Sequence, residues 1–170
     1  MTLYSVEKLI AEARKVAADY RRATGKPLPG VSAEICMHDA ARLLDLELTN
    51  NPALGYDAMG RGGVRAGKKI QIKGRAIFDE SKGGHRLGQL KTEQDWDSVM
   101  LVLMDDNLEP VEIYEAQRND LLNDLDQTSH SRRNKRGAMS VGRFKALGLR
   151  VWTRELGVDA DGVWDNQTGR

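Results

Sequence analysis

The chain has 170 residues with 26 Lys and Arg against 25 Asp and Glu, a net charge of +1. That length fits one domain able to bury a core without staples. The single cysteine, Cys36, excludes an intrachain disulfide and a cysteine-based zinc cluster, and it reads as a small buried helix residue. No apolar run is long enough for a bilayer, and the charges at Glu7 and Lys8 do not have a signal-peptide layout. The expectation is a cytoplasmic protein with no membrane partner.

In chain order, Val6, Leu9, Ile10, Ala13, Val16, Ala17 and Tyr20 recur at helical spacing. They predict an amphipathic helix over Ser5–Thr24, capped by Ser5 and stopped by Gly25. Pro27, Pro29 and Gly30 form a linker. A second helix is predicted over Ser32–Asp45, with Glu34 and His38 on one face. Asn50, Asn51 and Pro52 break the chain before an extended piece at Gly55–Ala58. A glycine-rich turn (Gly60, Gly62, Gly63, Gly67) leads to a strand over Lys69–Phe78. There Ile70 and Ile72 point one way, and Gln71, Lys73 and Arg75 the other. Ser81–Gln94 is polar and reads as loop. Ser98–Met104 is continuously apolar, as a buried strand is, and Val111–Glu115 reads as the returning strand. A short helix at Arg118–Leu125, a basic loop at Gln127–Gly137, a helix capped by Ser140 and ended by Gly148, and a strand at Leu149–Thr153 complete the order. These elements predict an α/β chain of the α+β type, a mixed sheet flanked by helices. As one domain over 1–170, it comprises an N-terminal helix and linker (1–30), a core (31–155) and a tail (156–170).

Charge is unevenly distributed. Ala58–Phe78 carries six bases and no acid, Glu93–Asp126 eleven acids and one base, Arg118, and Ser129–Arg150 seven bases and no acid. These blocks suggest a bipolar surface whose basic parts attract phosphate, although any one of them is equally a solvated face. His38, His85 and His130 are too scattered for a zinc site. Asp159, Asp161 and Asp165 lack the spacing and terminal Glu of a calcium loop.

If Gly55–Ala58 and the following strand form a hairpin, Asp57, Gln71 and Lys73 converge. A carboxylate and an amide oxygen suit a hard divalent ion such as Mg²⁺, with Mn²⁺ as an alternative. Such an ion acidifies water and polarises a phosphoryl oxygen, and an ammonium group would stabilise developing charge. Arg75, on the same face, would grip a neighbouring phosphate. Taken singly, Asp57 reads first as a cap of the glycine turn that follows it, and Gln71 with Lys73 equally as the solvent side of a strand.

The order Gly-Tyr-Asp, glycine turn, Gln-Ile-Lys resembles the PD-(D/E)XK nuclease superfamily, with matching elements from Ser32 to Thr153. The resemblance implies a restriction-endonuclease-like core with an extra N-terminal helix. It implies a Mg²⁺-dependent endonuclease cutting DNA in restriction, repair or defence, with Asp57, Gln71, Lys73 and Glu34 catalytic. Asp57, Gln71 and Glu34 would be the metal ligands. DNA contacts are expected at Arg61, Arg65, Arg75, Arg132, Arg133, Lys135, Arg136 and Arg143, and a homodimer would cut both strands. Gly55-Tyr56 replaces the usual proline before the aspartate. Gln71 replaces the usual acid, as it does in some active members, and removes one negative ligand. Two alternatives remain open: a catalytically inactive nucleic-acid-binding or accessory protein of the same fold, and a domain whose charges serve protein contacts.

Overall fold

A computed structural model describes residues 3–77, 86–87, 90–127 and 139–159. Among these residues the fold is α+β, with seven strands in one mixed sheet and helices on both faces. Helix α1 (Leu3–Thr24) starts two residues before the capping serine predicted for it and stops at Gly25, which adopts φ 71°. The Gly25 amide closes the helix on the Arg21 carbonyl at 2.8 Å. Helix α2 (Val31–Leu44) ends at Asp45, a left-handed residue at φ 55° whose amide binds the Ala41 carbonyl.

That cap turns the chain directly into β1 (Leu46–Leu48), a strand absent from the sequence prediction. Strands β2 (Ala58–Gly60) and β3 (Lys69–Ala76) continue an antiparallel meander, with Ala58 opposite Ile70. The chain then crosses over, and β4 (Ser98–Met104) lies parallel to β3 in the register Gln71–Val99, Lys73–Leu101, Arg75–Leu103. A parallel neighbour needs such a long connection, whereas antiparallel strands need only a turn. Strand β5 (Pro110–Gln117) returns antiparallel, followed by α3 (Arg118–Gln127), α4 (Val141–Leu147), β6 (Leu149–Thr153) and β7 (Gly157–Val158). The sheet order is β1 through β7, and the pairing of β7 carries the sheet past residue 155.

All seven residues of β4 are buried because both of its faces are covered. Met100, Val102 and Met104 join Ile70, Ile72, Ile113 and residues of α1 and α2 in one core. Val99, Leu101 and Leu103 join Trp96 with residues of α3 and α4 in the other. Helix α2 sits so close to β3 that a Cβ on Gly74 would lie 2.7 Å from the Cys36 sulfur. Burial pushes the Cys36 thiol up to about 12, with Asp39 adding to the shift. Among the described residues no helix is long and apolar enough to cross a membrane.

The charge blocks do not stay apart. Arg65 pairs with Glu115, Lys69 with Asp95, Arg143 with Asp124, and Arg150 with Glu112. Each pair joins a basic segment to the acidic one, so the bipolar surface expected from sequence is in part neutralised within the fold.

Candidate functional site

The β2–β3 hairpin and the turn before it build the site. Pro52–Leu54 forms a single 3₁₀ turn, with the Asn51 side chain accepting from the Ala53 amide at 3.0 Å. Gly55 leaves that turn at φ 82°, and a Cβ there would come within 2.7 Å of the Gln94 Cβ. Both constraints favour glycine. Gly55→Ala is expected to cost roughly 1–3 kcal/mol, from left-handed strain plus the collision. Urea unfolding would read this loss, and an unchanged midpoint would count against the tight Gly55–Gln94 approach.

Asp57 follows. Its amide donates to the Ile70 carbonyl at 2.9 Å, and its own carbonyl accepts from the Thr49 amide at 2.9 Å. Continuing the Ala58–Ile70 register by one residue sets Asp57 opposite Gln71. Beyond this point β2 has ended, so the Ile72 amide lacks a strand partner. The Asp57 carboxylate replaces that partner, accepting from the Ile72 amide through Oδ2 at 2.7 Å. The carboxylate thus caps the open side of β3 and not the glycine turn that the sequence suggests, and this occupies one oxygen. Oδ1 accepts no hydrogen bond among the described residues.

Gln71 is 2% exposed. Its Nε2 donates to the Gly55 carbonyl at 3.1 Å, which orients the amide. Its Oε1 is buried without a hydrogen-bond partner. A buried acceptor left unpaired costs about 1–3 kcal/mol, so such groups are few in native folds. Lys73 is half-buried and makes no ion pair among the described residues. Burial lowers its pKa, Asp57 opposes that shift, and Lys91 and Arg75 reinforce it.

The hairpin thus brings together Asp57, Gln71 and Lys73, as the alternation in sequence implied. The other expected residues fare differently. Glu34 is exposed in the first turn of α2, whose buried residues pack on the Ile70–Ile72 face, opposite Gln71 and Lys73. It makes no hydrogen bond or ion pair with the three. Arg75 lies beside them, yet its Nε donates to the Arg86 carbonyl and its Nη1 to the Gly74 carbonyl, both at 2.6 Å. Burial lowers the Arg75 pKa. Arg65 is committed to Glu115 at 2.9 Å, and Ser98 donates to the other Glu115 oxygen at 2.8 Å. Arg143 is engaged by Asp124 at 2.7 Å. Arg61 is exposed and, with His38, lines a cleft of about 700 Å³ between α1, α2 and β1. Arg132, Arg133, Lys135 and Arg136 lie outside the described residues.

The sequence reading missed the stretch 90–97 beside the hairpin. Trp96, 1% exposed, anchors it, and Arg118 holds three of its carbonyls. One signal was available: Arg118 is the only base among the eleven acids of its block.

No protein-family model and no curated protein matches this chain. No group of three or more His, Cys, Asp or Glu able to hold a metal occurs among the described residues. Two oxygens, Asp57 Oδ1 just before β2 and the orphaned Gln71 Oε1 on β3, nonetheless belong to residues that stand opposite one another across the hairpin. That set does not suit zinc, which takes nitrogen and sulfur. It fits Mg²⁺ or Mn²⁺, since hard ions bind few protein oxygens and keep several waters.

Proposed function

We propose that this protein is a Mg²⁺- or Mn²⁺-dependent endonuclease of the PD-(D/E)XK type, hydrolysing phosphodiester bonds in DNA. The observation that carries the reading is the buried, unpartnered Gln71 Oε1 beside Asp57 on the hairpin. An ion held there by Asp57 and Gln71 would acidify a water and polarise a phosphoryl oxygen. The chain's own residues do the rest. The Ile72 amide and the Gly55 carbonyl fix the orientations of Asp57 and Gln71 before substrate arrives. Lys73, partly desolvated, donates to a phosphate oxygen and stabilises charge as it builds there. Arg75 adds positive charge from a fixed guanidinium. A helix, a three-strand antiparallel meander and a strand parallel to the third support a restriction-endonuclease-like core, although among the described residues no helix lies in the crossover between β3 and β4, where the family has one. Restriction, repair or defence would use such an activity, with two copies of the chain cutting both strands.

The decisive experiment is incubation of plasmid and single-stranded DNA with the protein in Mg²⁺, Mn²⁺ or EDTA. Cutting that requires the metal supports the proposal. The second reading is a nuclease-fold protein that binds nucleic acid without cutting it, favoured by the neutral Gln71 at a position the family gives to an acid. Salt-sensitive binding with no cutting in either metal would select it.

Gln71→Glu tests whether an ion can be held at this position. Without metal, a new carboxylate facing the Gly55 carbonyl should lower stability by roughly 1–3 kcal/mol. Mn²⁺ at about a hundred times its Kd should return about 2.7 kcal/mol. Thermal melts with and without Mn²⁺ check this, and a variant whose Tm ignores the metal would argue against an ion at Gln71.

A further inference from the structure

The segment 90–97 has no regular secondary structure, yet it is heavily fastened. Arg118 on α3 donates from Nη1 to the Gln94 carbonyl at 2.7 Å and the Trp96 carbonyl at 3.0 Å, and from Nη2 to the Thr92 carbonyl at 2.8 Å. Its guanidinium carbon lies 4.5 Å from the centre of the Trp96 ring. The Trp96 indole in turn donates to the Lys91 carbonyl at 2.6 Å. Leu90, 1% exposed, is packed in the same core as Val99 and Leu101, the cross-strand neighbours of Gln71 and Lys73. At the far side Gln94 abuts Gly55. The backbone of Lys91 is thus fixed beside the hairpin on the Gln71–Lys73 face.

The acids of this segment that make contacts face the start of β3. Asp95 pairs with the Lys69 ammonium, and Asp97 accepts from the Lys69 amide at 2.8 Å. Lys91 is exposed and has no ion-pair partner among the described residues. Lys91 and Arg75 both lie close enough to the Lys73 ammonium to disfavour its charge, and Asp57 is the carboxylate that offsets them. An anion is what such a rim recruits.

We propose that Lys91 is a substrate-binding residue of this site. It contacts the DNA phosphate next to the one at Lys73, and Arg118 is the positioning residue that holds it there. The inference rests on the phosphodiester reading above and names how that site grips its substrate. A mobile lysine would lose side-chain and backbone entropy on ordering, and the Arg118–Trp96 clamp removes the backbone part in advance. Arg118 itself is occupied by three carbonyls and an aromatic face, which leaves it little to offer DNA directly.

The test is binding of a fluorescein-labelled DNA duplex in EDTA, followed by anisotropy across a NaCl series. One lost phosphate contact lowers the salt slope of log K by about 1. Lys91→Gln should show that drop and Lys91→Arg should restore the slope. Lys8→Gln, an exposed lysine on α1, should leave it unchanged. Arg118→Lys keeps the charge but cannot hold three carbonyls, so it should reproduce the drop. Combining it with Lys91→Gln should lower the slope no further, which a merely structural role for Arg118 would not predict. Lys91→Gln is a surface change, so the test stands even if Arg118→Lys folds poorly. A full slope in Lys91→Gln, beside a reduced one in Lys73→Gln, overturns the role of Lys91 and leaves the site reading intact. A wild-type protein that binds no duplex at any salt overturns both.

Discussion

Lys73→Met is expected to slow DNA cutting severely while making the protein more stable. The two effects have separate physical origins. The ammonium stabilises charge that exists only as the phosphodiester breaks, and removing one such donor costs roughly 10²–10³-fold in rate. Stability moves the other way because Lys73 is half-buried and burial, the dominant influence, lowers its pKa in the fold. Below the folded value the residue is protonated in both states, and folding carries the full penalty of desolvating the charge. That penalty fades as pH rises from the folded value towards the ordinary 10.5, above which both states are neutral. Methionine removes it, so the urea midpoint of the variant should exceed that of the wild type near neutral pH and converge with it in strong alkali. Asp57→Asn is the companion change. An amide oxygen still accepts from the Ile72 amide, so the hairpin should hold while the carboxylate charge is lost. Cutting should fall by at least as much as for Lys73→Met, with the circular dichroism unchanged. If Lys73→Met still cuts at the wild-type rate, the ammonium is the solvent side of a strand and the nuclease proposal fails at its centre.

What could be read from sequence follows from the range of the forces involved. Ser98–Met104 was legible because a strand covered on both faces must be apolar at every position. The convergence of Asp57, Gln71 and Lys73 was legible because strand alternation commits Gln71 and Lys73 to one side, and a glycine turn implies the hairpin that sets Asp57 against them. The three residues of β1 were not legible: Leu46, Glu47 and Leu48 follow α2 without a break and are too few to establish a period of two. The clamp on 90–97 was hidden for another reason. Its hydrogen bonds join Arg118 to carbonyls more than twenty residues earlier, and a carbonyl has no signature in sequence. The charge blocks misled in the same way, since Arg65 and Glu115 stand fifty residues apart and meet only in three dimensions. Glu34 illustrates the limit of a motif. Its place in the order of elements matches, but α2 packs on the face away from Gln71 and Lys73.

The largest loss of stability is expected at the opposite face, from Arg14→Met. Arg14 projects from α1 and is 9% exposed; Asp39 on α2 is 1% exposed. The guanidinium meets the carboxylate with two parallel hydrogen bonds, Nη1 to Oδ2 at 2.8 Å and Nη2 to Oδ1 at 2.7 Å. Nη1 also donates to the carbonyl of Leu108, a residue held at φ 61° in the β4–β5 turn. One side chain therefore ties α1, α2 and the sheet together. Removing it leaves the Asp39 carboxylate buried with Arg42, half-exposed and 3.5 Å away, as its one remaining ion-pair partner among the described residues. An ion pair broken from one side in this way typically costs about 3–5 kcal/mol. Arg14→Met should show a loss of that size in urea unfolding. The double variant Arg14→Met with Asp39→Leu removes both charges and should recover most of it, because well-packed apolar residues often replace a buried pair without cost. Neither change touches the hairpin or the clamp on 90–97. DNA cutting by the double variant should accordingly match the wild type, whereas Asp57→Asn should leave stability almost alone and remove cutting. A double variant no more stable than Arg14→Met would mean that packing, and not the unpaired carboxylate, sets the cost. It would then be the Leu108 contact that fastens α1 to the sheet.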